Sequence, residues 1–201
     1  MSFFQNTRKP TGIGGKIMLF MMNVGHSAVS QWGLQFLSTT PDAKVLDCGC
    51  GGGANIKRLL KRCPQGSVKG IDYSAVSVEK AKRVNERATR AGRCAVLQAS
   101  VSELPFTAET FDIVTAFETV YFWPNLSQNF REVYRVLKRD GTFFICNEIS
   151  GDTDKDDKWT QIIDGMTIYR DMQLKRFLEQ AGFHNVQIHK KKSWLCLTAQ
   201  K

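Results

Sequence analysis

The chain has 201 residues, a formal charge of +9, 42% apolar residues and 23% charged ones. That is enough for one domain with a single sizeable core, and the composition is ordinary for a soluble globular protein. No apolar run approaches the roughly 20 residues of a membrane-spanning helix. The run Lys16–Met22 follows a basic stretch but is short and lacks a small-residue cleavage site. Neither membrane insertion nor a signal peptide is therefore expected, and the expected compartment is the cytoplasm.

In chain order, Ala43–Cys48 is a compact apolar run that ends at a glycine cluster and reads as a first strand. Ala54–Cys63 follows as a helix with Ile56, Leu59 and Leu60 on one face, stopped by Pro64 and Gly66. Ser67–Asp72 is a second strand, and Ser74 caps a predicted helix whose Val78, Ala81, Val84, Asn85 and Ala88 share a face up to Gly92. Arg93–Gln98 and Phe111–Phe117 are the third and fourth strands, with a turn at Ser102–Phe106, where Pro105 disfavours helix at Leu104. Leu126, Phe130, Val133, Tyr134 and Leu137 then mark an amphipathic helix, closed by a turn at Arg139–Asp140–Gly141 before a fifth strand, Thr142–Glu148. Leu174, Phe177, Leu178 and Ala181 form a further helix face. Val186–His189 and Trp194–Ala199 are separated by too few residues for a crossover helix, so they are expected to pair antiparallel. The alternation predicts an α/β fold: a Rossmann-like, seven-stranded, mainly parallel sheet with an antiparallel C-terminal hairpin and helices on both faces. A single domain is expected, with residues 1–42 as a helical lid on a core of residues 43–201.

Six cysteines (Cys48, Cys50, Cys63, Cys94, Cys146 and Cys196) form no Cys-x-x-Cys pair. Buried free thiols are expected from them rather than disulfides or metal ligands. The basic residues are spread over 57–62, 80–93, 131–139 and 190–192, mostly on the polar sides of predicted helices. Such dispersal reads as solvated helix faces, or as a rim that attracts an anionic small substrate, so nucleic acid is not the expected partner.

Asp47-Cys48-Gly49-Cys50-Gly51-Gly52-Gly53 joins the first strand to the first core helix. Glycines there let backbone approach a ligand at the carboxyl end of a parallel sheet. Gly49-x-Gly51-x-x-Ala54 by itself also satisfies a dinucleotide fingerprint, with Asp72 near the position of its ribose-binding acid. Asp47, two residues before the first glycine, argues the other way: a carboxylate suits the ammonium of a methionine moiety and repels a pyrophosphate. The terminal hairpin is also foreign to most dinucleotide folds. Further blocks follow in order: Gly70–Tyr73, Leu104–Phe106, Phe111–Val114 and Leu137–Gly141.

On these blocks, residues 43 to 201 resemble the class I S-adenosylmethionine-dependent methyltransferases, within them the small-molecule branch similar to ubiquinone and menaquinone methyltransferases. The resemblance implies S-adenosylmethionine as cofactor and S-adenosylhomocysteine as product. It implies that backbone groups of Gly49, Cys50 and Gly51 wrap the methionine portion, with Asp47 facing its ammonium. Asp72 would accept from both ribose hydroxyls, with a helix cap as its plain alternative. Tyr73 would lie beside the adenine and Phe117 near the sulfonium, each with core packing as the alternative. The family usually carries an acid at the position of Ser100. Here the serine serves either adenine or its own turn, while the Val101 N–H can still serve adenine.

Acceptor residues are expected from the loop after the fourth strand, Phe117–Pro124, and from the lids. That loop lacks the Asn/Asp-Pro-Pro-Tyr/Phe signature of many adenine and glutamine N-methyltransferases. It is aromatic, with Glu118 the one ionisable group near its start, and Glu118, Tyr121 and His26 are the catalytic candidates. Aromatic walls suit a flat or cationic acceptor. Met18, Met21, Met22 and Asn23 join His26 in the lid, and the acidic stretch Asp152–Asp157 leads into a second lid, Trp159–Tyr169, with Tyr169 as a candidate acceptor contact. A metal-dependent site needs clustered acids at the strand ends; no such cluster is recognisable in the sequence, and no metal is expected. The predicted activity is methyl transfer to a small molecule by a monomer or homodimer. RNA methylation and cofactor binding without turnover are its alternatives.

Overall fold

Seven strands form one mixed sheet in the computed structural model, which describes residues 25–152 and 157–201. They are β1 (Lys44–Cys48), β2 (Ser67–Asp72), β3 (Cys94–Gln98), β4 (Phe111–Phe117), β5 (Leu137–Asn147), β6 (His184–Lys191) and β7 (Trp194–Gln200). Their order across the sheet is β3-β2-β1-β4-β5-β7-β6. The ladders from β3 through β5 are parallel, and β7 runs antiparallel to both β5 and β6. The Rossmann-like arrangement with a terminal hairpin is therefore the fold of the chain. Met18, Met21, Met22 and Asn23 lie outside the described residues.

The helices are α1 (Ser27–Gly33), α2 (Ala54–Arg62), α3 (Ala75–Val84), α4 (Glu86–Arg90), α5 (Leu126–Val136), α6 (Asp157–Ile162) and α7 (Asp171–Gln180). Because successive strand residues point to opposite faces, the sheet feeds two cores. Leu46 and Phe143 meet Phe130 and Val133 of α5 and Leu174 and Leu178 of α7 on one face. Their sequence neighbours Val45 and Phe144 meet Val29, Ile56, Leu59, Val78 and Ala81 of α1, α2 and α3 on the other. Trp123, Phe130 and Phe143 form a ring cluster with centroids 5.3–6.2 Å apart, which ties the segment after β4 to the core under α5. All six cysteines are free and buried.

Two elements differ from the sequence expectation. The single helix expected from Ser74 to Gly92 breaks at Asn85, whose backbone (φ −110°, ψ 19°) leaves the helical region between α3 and α4. Its buried amide donates to the carbonyls of Gly53 and Ala81, at 3.0 Å each, so the break turns a polar side chain inward to hold the end of the glycine loop. The second difference is at β5, which starts at Leu137 rather than Thr142. Leu137 ends α5 in extended conformation, and Asp140 takes a left-handed φ of 60°. The strand continues through the predicted turn, with a register shift opposite Phe111–Ile113.

The sheet order reverses direction between β1 and β4, the first strand pairing with β2 on one side and β4 on the other. Loops leaving the carboxyl ends of two such strands diverge to opposite faces, and the crevice between them is where open α/β sheets hold ligands.

Candidate active site

A cavity of about 300 Å³ occupies that crevice, at the carboxyl ends of β1, β2 and β4. Of the described residues singled out from the sequence, all but Tyr121 and Tyr169 line it.

The floor is the glycine loop. Gly49, Gly51 and Gly53 take φ values of 74°, 50° and 79°, in the left-handed region that glycine adopts without penalty. The loop folds back on β2: the Gly49 and Cys50 N–H groups both donate to the Ile71 carbonyl (2.8 and 2.9 Å), and the Gly51 N–H donates to Asp72 Oδ2 at 2.9 Å. The donors of these three residues are thus spent within the protein, and the Cys50 carbonyl accepts from the Gly53 N–H (2.9 Å), so the Gly49 and Gly51 carbonyls are the freer backbone groups for a ligand.

Two buried carboxyls stand beside the loop. Asp47 lies opposite Thr115 in the β1–β4 register, and its Oδ1 accepts from the Thr115 hydroxyl at 2.7 Å. Burial and the neighbouring Asp72 charge push its pKa up to about 7, against the pull of the Thr115 bond. Asp72 ends β2, and besides Gly51 it accepts from the Ser74 N–H at 2.9 Å through Oδ1. Burial raises its pKa too, opposed by the hydrogen bonds from Ser74, Gly51 and Ser77. One N–H on each oxygen leaves further lone pairs on both, since a carboxylate has about four acceptor sites. The helix cap itself is Ser74, whose hydroxyl accepts from Ser77 N–H at 3.4 Å.

Tyr73 is 40% exposed on one wall of the cavity. Ser100 and Val101 lie on the same side, and the Ser100 hydroxyl accepts from Ser102 N–H at 3.2 Å, so it already serves its own turn. Phe117 is buried against Phe144, ring centroids 5.1 Å apart, with an edge on the cavity. Arg58, which the sequence reading missed, also lines the cavity; it sits four residues after Ala54, one helical turn behind the loop. Its guanidinium is held by Asn55 Oδ1 (2.8 Å) and Ser27 Oγ (2.7 Å).

At the far end, Glu118 takes a left-handed φ of 57° and donates its N–H to the Cys146 carbonyl. Burial, then the adjacent Glu148, hold its carboxyl well above the usual range. Tyr121 is buried beside it, but its hydroxyl donates to the Ile149 carbonyl (3.2 Å) and accepts from the Ile149 N–H (2.9 Å). The structure thus places Tyr121 behind the wall, while Phe122 and Trp123 face the cavity. Tyr169 is turned to Phe177, centroids 6.0 Å apart, and does not line the cavity. His26 does line it, with Nε2 3.6 Å from Glu148 Oε2; its pKa is lowered by burial against the pull of that carboxylate. The strand ends therefore gather two acids and a histidine, a cluster the sequence reading did not recognise.

Residues 46–145 match the methyltransferase domain family. The Bacillus subtilis (strain 168) protein YrhH, described as a methyltransferase, is 29% identical over 158 residues, covering 79% of this chain and 78% of that protein. Sterol methyltransferase-like 2 of Botryococcus braunii is 34% identical over 149 residues, 71% of this chain and 38% of that one. The chain thus spans well under half the length of that sterol relative. A chain in the complex between the Haloferax volcanii Trm112 methyltransferase activator and a methyltransferase superposes with a TM-score of 0.82 at 18% identity, over 99% of this chain and 97% of that one. Geranyl diphosphate C-methyltransferase of Streptomyces coelicolor A3(2), solved with Mg2+, geranyl diphosphate and S-adenosylhomocysteine, superposes with a TM-score of 0.74 at 15% identity, over 87% and 77% of the two chains. At these identities the superpositions establish the fold. On that fold, the matched domain and the sequence relatives support a methyltransferase that resembles the class I S-adenosylmethionine-dependent enzymes.

Proposed function

We propose that the chain binds S-adenosylmethionine in the 300 Å³ cavity and transfers its methyl group to a small-molecule acceptor. The observation that carries this reading is the shared cavity itself. It joins a cationophilic end (Asp47 and the loop carbonyls), a carboxylate suited to a vicinal diol (Asp72), and an aromatic end at Phe117, Phe122 and Trp123.

S-adenosylmethionine supplies a methyl on a sulfonium, which is already a good leaving group, so alignment and exclusion of water account for most of the acceleration. The chemistry of itself asks for no metal and for a base only where the acceptor loses a proton. Asp47 and the carbonyls of Gly49 and Gly51 hold the ammonium, and Arg58 stands on the cavity wall for the carboxylate. Asp72 holds the ribose, Tyr73, Ser100 and Val101 flank the adenine, and Phe117 shields the sulfonium. Glu118 faces the acceptor, with Tyr121 supporting it from behind. Beyond Phe122 lies a satellite apolar cluster of Tyr121, Ile163 and Met166 with Ile149, Trp159 and Ile168. That cluster is buried and backs Phe122, and the aromatic lining at Phe117, Phe122 and Trp123 suits a flat, largely apolar acceptor, in keeping with the sterol methyltransferase name among the relatives.

Calorimetry with S-adenosylhomocysteine and with NAD tests the reading. Saturable binding of the first in the micromolar range, with none or far weaker of the second, is the expected result. Tighter NAD binding would overturn it. In the same experiments Glu118→Gln is expected to leave S-adenosylhomocysteine affinity within about threefold while turnover of an accepted substrate falls roughly 100-fold, the usual worth of a group acting in the transition state. Equal losses in both would move Glu118 to the cofactor side.

Asp47 sets a pH dependence. A carboxyl raised to about 7 in the free protein is mostly neutral below that pH. An ammonium beside it favours the charged form, so binding expels a proton whenever the pH lies below the free-state value. Affinity is therefore expected to rise by up to about tenfold per unit from roughly pH 5.5 to 7 and then level off. Proton release should be visible as a dependence of the calorimetric heat on buffer ionisation enthalpy. A flat affinity over that window, with no proton released, would remove Asp47 from the ammonium site.

A further inference from the structure

Glu118 and Glu148 follow the carboxyl ends of two paired strands, β4 and β5, and are brought within one residue of level because Phe117 stands opposite Cys146 in the ladder. His26, immediately before α1, reaches the same point from another face. One potential ligand atom from each of His26, Glu118 and Glu148 lies within 4.8 Å of the other two. Glu118 Oε1 is shut off from solvent and has no hydrogen-bond partner among the described residues. Among the described residues, neither glutamate comes within ion-pairing distance of a lysine or arginine. The guanidinium in the same cavity, that of Arg58, is turned to Asn55 and Ser27.

Two carboxyl groups and one imidazole thus converge with no lysine or arginine of the described residues to offset them, and an orphaned buried oxygen is costly unless something occupies it. Glu118 Oε1 itself is buried, while the His26 and Glu148 side chains are 28% and 45% exposed, so an ion has a way in. We propose that His26, Glu118 and Glu148 form a divalent-cation site at the acceptor end of the cavity, one that takes a first-row ion of the Mn2+ type. A mixed set of one nitrogen and two oxygens suits such ions, where an all-oxygen set would suit Mg2+ or Ca2+ and thiolates Zn2+. Bonds of about 2.1 Å place ligand atoms about 3 Å apart, a contraction from the present spacing that lies within reach of side-chain torsions. Three protein donors on one side leave the ion open toward the cavity, which His26 and Glu118 line. An oxygen of the acceptor (an enol, phenol or carboxylate on the flat apolar body) is the ligand that fits there. The acceptor's part in this rests on the methyl-transfer reading; the ion site does not.

The test titrates Mn2+ into the full chain after chelation and desalting, reading free Mn2+ by electron paramagnetic resonance. The expected result is one saturable site, half-filled at or below on the order of 100 μM, weakened about tenfold or more in His26→Ala, Glu118→Gln and Glu148→Gln. Glu148 is the most exposed of the three, so its variant tests the site even if Glu118→Gln folds poorly. No saturable site in the wild-type chain, or equal affinity in Glu148→Gln, would overturn the proposal. S-adenosylhomocysteine binding is measured on the same samples. Its absence from the wild-type chain would overturn the methyl-transfer reading, while the Mn2+ titration decides the ion site separately.

Discussion

Asp72→Ala is expected to weaken S-adenosylhomocysteine binding by about 100-fold or more, because two hydroxyl donors lose a charged acceptor worth roughly 1.5–3 kcal/mol per bond. The loss has a second source inside the protein. Asp72 Oδ2 and Oδ1 accept from the Gly51 and Ser74 N–H groups, so alanine orphans one donor in the glycine loop and one at the start of α3. Each orphaned donor costs about 1–3 kcal/mol where water cannot replace the carboxylate. The apo fold also gains something, because a carboxyl whose burial opposes ionisation is removed. A melting shift of a few degrees is therefore expected beside the large loss of affinity, a degree or two per half kcal/mol for a chain of this size. Asparagine is no conservative control: with donors on both sides of the position, its amide nitrogen must face an N–H. Isothermal titration and thermal melts on Asp72→Ala, Asp72→Asn and wild type check both effects. An affinity for S-adenosylhomocysteine within about threefold of wild type in Asp72→Ala would remove the carboxylate from the ribose.

The double role of Asp72 illustrates what the sequence does and does not expose. Strands β2 and β4 begin and end where their residues predict, because apolar runs bounded by polar or glycine residues leave one reading of a buried strand. The glycine loop is likewise legible as backbone that approaches a ligand, and the cavity sits over it. What the local pattern hides is any side chain whose work is done at a distance. Asn85 fits the apolar face of a continuous helix by position, yet it breaks that helix to bond Gly53, 32 residues earlier. Arg139–Asp140–Gly141 carries turn chemistry, yet pairing of Leu137 with Phe111 of β4 draws β5 back across it, so tertiary pairing overrides the local signal. His26 and Glu148 are single polar residues far apart in the chain. Only the β4–β5 register and the return of the segment before α1 bring them to Glu118, so no spacing rule could have announced that cluster.

The other large effect is expected at Gly49, where the two sides of the cavity touch. A Cβ on Gly49 would meet Thr119 at both its hydroxyl and its Cβ, the latter at 2.7 Å. The backbone there has φ 74°, which costs an alanine a further 1–2 kcal/mol or so. The Thr119 hydroxyl cannot swing away freely, since it accepts from the Trp123 indole at 3.2 Å and Trp123 is packed on Phe130 and Phe143. Nor can the Gly49 loop retreat, because its N–H and that of Cys50 are both bonded to the Ile71 carbonyl. Gly49→Ala must therefore pry the loop after β4, with Glu118 and Thr119, off the loop after β1. Destabilisation of roughly 2–4 kcal/mol and loss of measurable S-adenosylhomocysteine binding are expected. If steric contact is the cause, removing the partner's Cβ relieves it: Gly49→Ala with Thr119→Gly should be more stable than the sum of the single changes by about 1 kcal/mol or more. Urea unfolding of the four proteins of that cycle measures the coupling. Strict additivity would mean that Gly49 acts through backbone conformation alone, and that the two loops are positioned independently.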